Sequence, residues 1–427
     1  MTFHTICKNH NNNRHYPGPV SVGAIFMIVM LLLASVVMAA GSLVATWDPV
    51  GDSDLAGYKV YYGTTSGDYE NWQMTDVGNV TQYILNDLVV GQRYYLVVTA
   101  YDFAGNESGY STQVDAVATS RSVSIQYTAA NGLVISWDSV SGADSYQIFK
   151  SSNAYFTPGT PAATQTGTQY VDSGFDHTAD VGSYYIIRAL SGGNELYSFS
   201  RVGALNIKVR TGRNLVSVPF INSDSSLTAV LGSQLTGSSF SSRADKVYMW
   251  NGSDYEMAWL VEGTSSPYEG KWMRKAGDME SSIRLRPEKS FWVEVNSQNP
   301  VPTDSVITVC GRVKEEANQN YTLQSGPNFV ASGYPVDVPL SESGLAVSGA
   351  VSGGPSGAVA DKVMHWRGTN NYDVAWLVSG SGTSWDGEWM NERGDALSGM
   401  SFKAGHGYII MIKNDNTVTN WQFPKPN

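Results

Sequence analysis

Cysteine is nearly absent: the 427 residues hold two, along with six histidines, and only 15% of residues are charged. Two cysteines cannot build a disulfide scaffold or a Cys-rich zinc site. No basic run exists, and 27 Lys and Arg against 38 Asp and Glu leave a net charge of −11. That balance argues against a nucleic-acid partner. G-x-S-x-G, H-E-x-x-H and phosphate-loop motifs are missing as well. Glycine (43), tyrosine (24) and tryptophan (12) are plentiful, and 42% hydrophobic residues are too many for long-range disorder.

Residues 1–21 are mostly polar and contain Lys8, Arg14 and three histidines but no acid. An apolar run from Val22 to Ala39 follows and ends in Val37-Met38-Ala39. This is the layout of a secretory signal peptide over 1–39; uncleaved, the run is long enough for an N-terminal membrane anchor. The expected location is secreted or cell-surface, with membrane contact only through that segment if it is retained. Removing it leaves His177, His365, His406 and a single cysteine, Cys310, at a charge of −13. Cys310 lies in Ile307-Thr308-Val309-Cys310-Gly311 and reads as a small buried strand residue rather than a reactive thiol.

Beyond residue 39 no long stretch carries helical periodicity. Short runs such as Tyr58–Tyr62, Tyr94–Ala100, Leu133–Trp137 and Phe291–Val295 alternate with Gly, Ser, Asn and Asp clusters. The pattern predicts an all-β chain of sandwiches or barrels.

In the segment 43–119, Trp47 sits in Ala45-Thr46-Trp47-Asp48-Pro49 and a second run is Leu55-Ala56-Gly57-Tyr58-Lys59-Val60-Tyr61. Leu88, Tyr94, Leu96, Val98 and Ala100 follow in an L-x(5)-Y-x-V-x-V-x-A pattern. On these residues the segment resembles a fibronectin type III domain. The resemblance implies an immunoglobulin-like sandwich with Trp47 in the core and Tyr94 at the corner, its hydroxyl returning to nearby backbone. The Trp strand begins so near the cleavage point that the family's first strand is expected to be missing. Residues 120–208 resemble a divergent copy, with Trp137, Tyr146 and Tyr184–Ala189 in matching places and Ser183 where the corner Tyr belongs.

The remainder is duplicated. Gly212-Arg213-Asn214-Leu215-Val216-Ser217 matches Gly326-Pro327-Asn328-Phe329-Val330-Ala331, and Ala244-Asp245-Lys246-Val247 matches Ala360-Asp361-Lys362-Val363. Trp250 matches Trp366, Ala258-Trp259-Leu260-Val261 matches Ala375-Trp376-Leu377-Val378, and Gly277-Asp278 matches Gly394-Asp395. A spacing this long means duplicated domains, not a solenoid. The expected modules are 209–313 and 314–427, with Val306–Val313 either closing the first or opening the second. The pair is similar to β-rich C-terminal modules of secreted bacterial proteins that carry no known activity.

Chemistry is thinly supplied. None of the three retained histidines has a second His or an acid at a ligand spacing, and His365 stands where the first copy has Met249. Asp48, Asp52 and Asp54 suit a solvated loop, with calcium the alternative. Glu269 and Asp386 precede Gly270 and Gly387, which suggests tight hairpin turns with a Trp opening the next strand. Trp250 and Trp366, like Trp47, Tyr94 and Trp137, read as structural core. Trp385 and its counterpart Tyr268 lie beside the turn and are the candidates to stack on a sugar ring. No catalytic, cofactor or metal residue is assigned. The expected role is non-enzymatic: an exported modular binding, adhesion or surface-scaffold protein with an extracellular protein or polysaccharide partner. The alternatives are a carbohydrate-binding accessory protein and an envelope assembly subunit.

Overall fold

Runs of Val, Ile and aromatic residues between glycine turns form strands almost throughout. The computed structural model describes residues 2–5, 40–118, 121–179, 182–297, 305–368, 371–413 and 419–426. The apolar run at 22–39, and with it the signal-peptide expectation, lies outside the described residues. No helix among the described residues is long and apolar enough to cross a membrane. The chain divides into two compact units, one of residues 1–122, 138–145 and 188–199, the other of 123–137, 146–187 and 200–427.

The first unit contains a two-sheet sandwich. One sheet runs Gln73–Gly78, Leu55–Gly63, Arg93–Asp102, Val114–Val117; the other runs Thr2–Thr5, Ala40–Trp47, Gln82–Val89. Alternate residues of facing strands, among them Leu43, Ala45, Tyr58, Val60, Leu85 and Val98, fill the space between. Trp47 meets Tyr58 edge-on at 5.5 Å between ring centroids. Tyr94 is half-buried at the corner, where its hydroxyl accepts the Val89 N–H at 3.0 Å. Thr2–Thr5 pairs with Ala40–Trp47 in parallel at the sheet edge expected to be empty, and the sandwich keeps this strand only while residues 1–39 stay attached.

The second sandwich has one sheet of Gln169–Asp172, Gly132–Trp137 and Val123–Thr128. The other runs Ala163–Gln165, Ser145–Ser151, Ser183–Ser191, Val202–Val209 and Ser305–Arg312, with Asn194–Ser198 on Ser183–Ser191. Trp137 is buried 5.5 Å from Tyr146. With Ser183 at the corner, a buried carboxylate does that work: Asp172 accepts from Tyr185 Oη and from Lys150 Nζ. Burial and this bond push the Tyr185 hydroxyl far above its ordinary range.

The two modules repeat one topology. In the first the sheet order is Gly212–Ser217, Ser290–Val295, Lys246–Trp250, Tyr255–Leu260, Trp272–Arg274. In the second it is Gly326–Val330, Tyr408–Ile412, Lys362–Gly368, Asn371–Leu377, Trp389–Asn391. Each sheet is framed by an antiparallel pair that precedes and follows it in the chain: Val202–Val209 with Ser305–Arg312, and Asn318–Leu323 with Thr419–Pro424. The framing strands bury Ile207, Val209, Ile307 and Val309 against the first sheet, and Tyr321, Leu323, Trp421 and Phe423 against the second.

This framing moves one boundary and decides a strand that the sequence left open. The repeated unit begins at Val202, not at 209, and Val202–Val209 also pairs with Ser183–Ser191, so the second sandwich and first module share a sheet. Ser305–Arg312 closes the first copy rather than opening the second.

The repeated motifs hold the modules together. Asn214 and Asn328 each return side-chain bonds to the turn before them, through Arg210 and Gln324. Asp245 is buried and accepts N–H bonds from Thr236 and Asn296, both at 2.8 Å. Asp361 does the same for Ser352 at 2.6 Å and Lys413 at 2.8 Å. The indoles of Trp259 and Trp376 donate to Arg274 and Asn391 carbonyls. Gly394 has φ +74°, and a Cβ there would stand 2.9 Å from the Trp376 ring, which is why the motif needs glycine.

Candidate functional site

Three features of the modules can meet a ligand or partner: exposed aromatic tips, a polar groove, and the seam between the two copies.

Trp385 and Tyr268 are 45% and 40% exposed. Each sits on a loop tied from inside by the acid that follows it. Asp386 accepts from the Ser381 N–H at 2.9 Å and hydroxyl at 2.7 Å; Glu269 accepts from Gly263 N–H at 3.0 Å and Thr264 N–H at 2.8 Å. These bonds hold both carboxyls below their ordinary range, backbone donors leading for Glu269 and the Ser381 hydroxyl for Asp386. The two acids are loop staples. The turns are not tight hairpins: long loops, 378–388 and 261–271, separate the strands, although Trp389 and Trp272 do open the next ones.

Asp48, Asp52 and Asp54 lie exposed on one loop, and no group of three or more His, Cys, Asp or Glu among the described residues could hold a metal ion. Cys310 is half-buried by area rather than fully buried, yet the atoms packed around its sulfur push the thiol up to about 12.

Trp250 and Trp366 are not module core. Both are half-buried between the copies, where the two sheets meet through Leu215, Trp292, Phe329 and Ile409. Trp292 stands edge-on to Trp366 at 5.2 Å, and Trp250 lies 6.0 Å from Phe329. The Trp366 indole donates to the Arg213 carbonyl at 2.7 Å. Main-chain bonds cross the seam from Gly407 N–H to Leu215 at 3.0 Å and from Ser217 N–H to Gly405 at 2.9 Å. A Cβ on Gly407 would stand 2.4 Å from Ser290 Cβ, so only glycine permits this approach.

On its second-copy side the seam also brings together two histidines that sequence spacing left apart. His365 Nε2 lies 3.2 Å from His406 Nδ1, and the His365 ring stacks on Tyr408 at 4.9 Å. His365 Nδ1 is 3.9 Å from Asp373, which also pairs with Arg367 at 3.2 Å. Burial lowers His365 from its ordinary pKa, against the pull of Asp373. The cue was weak: His365 pairs with Tyr408 only because the last sheet strand inserts between the first and second, and chain order does not reveal that. His177 stays apart from both, its ring 5.9 Å from Tyr127.

His365 opens onto a groove of about 690 Å³ on the second module. Its lining sets Arg367, Arg393 and Lys403 against Asp373, Glu392 and Asp395, with Tyr372 alongside. Charges cancel, so the groove selects by hydrogen bonding more than by net charge.

Residues 34–117 match the family model for the fibronectin type III domain. The Trp47 core and Tyr94 corner bond are the geometry of a fibronectin type III sandwich. A Kelch domain-containing protein of Sulfurisphaera tokodaii is 35% identical over 75 residues, 18% of this chain and 11% of the relative, so the chain spans little of that protein's length. Among solved structures, the two-domain fibronectin type III segment of chicken tenascin is 19% identical at a TM-score of 0.16, over 38% of this chain and 91% of that one. The chicken CNTN1 FN1-FN3 domains are 12% identical at a TM-score of 0.15, over 64% and 95%. A fibronectin type III domain followed by further β domains is the layout of a modular binding or scaffold protein.

Proposed function

We propose that the chain is an exported, non-enzymatic binding or adhesion protein whose duplicated modules present the binding surface. The carrying observation is the way the modules use their chemistry. Asp245, Asp361, Glu269 and Asp386 all serve main-chain N–H groups, while Trp385, Tyr268 and the groove face outward. The apolar run Val22–Ala39 behind a basic, acid-free start, laid out like a signal sequence, and the acidic balance support a place outside the cytoplasm. An extracellular protein or a polysaccharide is the partner class.

The groove and the exposed rings favour the polysaccharide. A neutral, hydrogen-bonding lining suits hydroxyl-rich ligands, and an exposed indole offers its face to pyranose C–H groups. A panel of immobilised polysaccharides tests this with the intact chain. Binding is expected, and Trp385→Ala should weaken it roughly tenfold if the indole stacks on the sugar. Binding unchanged in Trp385→Ala would remove the indole from the site; no binding to any polysaccharide leaves a protein partner as the reading.

A further inference from the structure

We infer that His365 and His406 form an acid-sensitive latch inside the second module that holds its docking turn against the first. The imidazoles face each other at 3.2 Å, and that distance requires one nitrogen to donate and the other to accept. The pair therefore holds together with no proton added or with one. Adding a second turns both facing nitrogens into donors and places two positive charges against each other, so the contact must open.

The latch lies where opening has consequences. His406 belongs to the turn that docks on Gly212–Ser217 of the other copy: its carbonyl accepts from Ser217 Oγ at 3.0 Å, and its neighbours Gly405 and Gly407 carry the two main-chain bonds across the seam. His365 lies on Lys362–Gly368, next to Trp366, whose indole bonds across the same seam.

The groups around the pair fix the direction. Asp373, on the adjoining strand, favours a charged His365; Lys403, on the docking turn, and Arg367, on its own strand, oppose it. Tyr408 stacks on the ring from the strand on the other side. From the first copy, Arg213 is turned to Glu294 at 3.6 Å and to the Tyr248 ring at 5.6 Å. Burial outweighs Asp373, so His365 binds its proton less readily when folded than when unfolded. A group lowered in this way contributes stability that is present above its unfolded value, about 6.5, and is lost as pH falls below it. The first copy has Met249 and Lys289 at these positions, so the latch belongs to the second copy alone.

Amide hydrogen exchange on the intact chain, corrected for the intrinsic pH dependence, tests the latch at about pH 7.5 and about pH 4.5. Protection at Ser217 and Gly407 should fall roughly tenfold or more in acid in the wild type, and far less in His365→Met, which copies the first module. Equal loss in both, or no loss in the wild type, overturns the proposal. If His365→Met fails to fold, histidine NMR titration of the wild type decides instead. Two separated steps for the pair support the latch; a single ordinary step for each ring contradicts it.

Discussion

Asp361 shows how much of the duplicated sequence is spent on backbone. Its carboxylate accepts two part-buried N–H groups, from Ser352 and Lys413, and Asp245 repeats the arrangement. Asp361→Ala strands both donors and should cost roughly 2–4 kcal/mol, read by chemical denaturation; a loss within error would contradict the staple role. Tyr94→Phe removes one corner acceptor from a half-exposed site and should cost about 1 kcal/mol, whereas Trp47→Ala, deep in the same core, should cost roughly 3–5 kcal/mol. Cys310, with its thiol pushed up to about 12, stays protonated at mildly alkaline pH. With Cys7 replaced by Ser, a thiol reagent should therefore label the folded chain slowly and the denatured chain at once; rapid labelling of the folded Cys7→Ser chain would contradict the packed environment.

At the scale of the element, strand positions in the sandwiches were legible because core side chains alternate along each strand and Trp47, Tyr94 and Trp137 mark fixed places in such folds. The duplication was legible because Asn214, Asp245 and Trp259 must recur wherever the same turns are stapled. What could not be read was sheet order. The first sheet strand of each module pairs with the last, so the seam that takes in Trp250 and Trp366, and the His365–His406 contact, depend on residues far apart in the chain. The Gly405-His406-Gly407 triplet did carry a hint, since glycines flanking a turn mark close backbone approach. The start of the repeat was misplaced for a related reason: Val202–Val209 serves two neighbours at once. A fragment beginning at residue 202 keeps the framing pair, and one beginning at 210 leaves Ile307 and Val309 without the strand beside them. The longer fragment should unfold in one cooperative transition, and the shorter should bind a hydrophobic dye or aggregate; equal behaviour would contradict the framing role.

For the whole molecule, two kinds of domain divide the work. The fibronectin type III sandwich closes on its own core, while the modules close against framing strands and against each other. Cores closed in this way need no disulfide, and residues 40–427 hold Cys310 as their single cysteine. The acidic balance adds solubility rather than a site. Export of a binding protein is the central claim, and fractionation of cells that make the chain, with N-terminal sequencing of the recovered protein, tests it most directly. The chain should appear at the surface or in the medium, beginning near residue 40; recovery only from the cytoplasm, with residues 1–39 still attached, would contradict it.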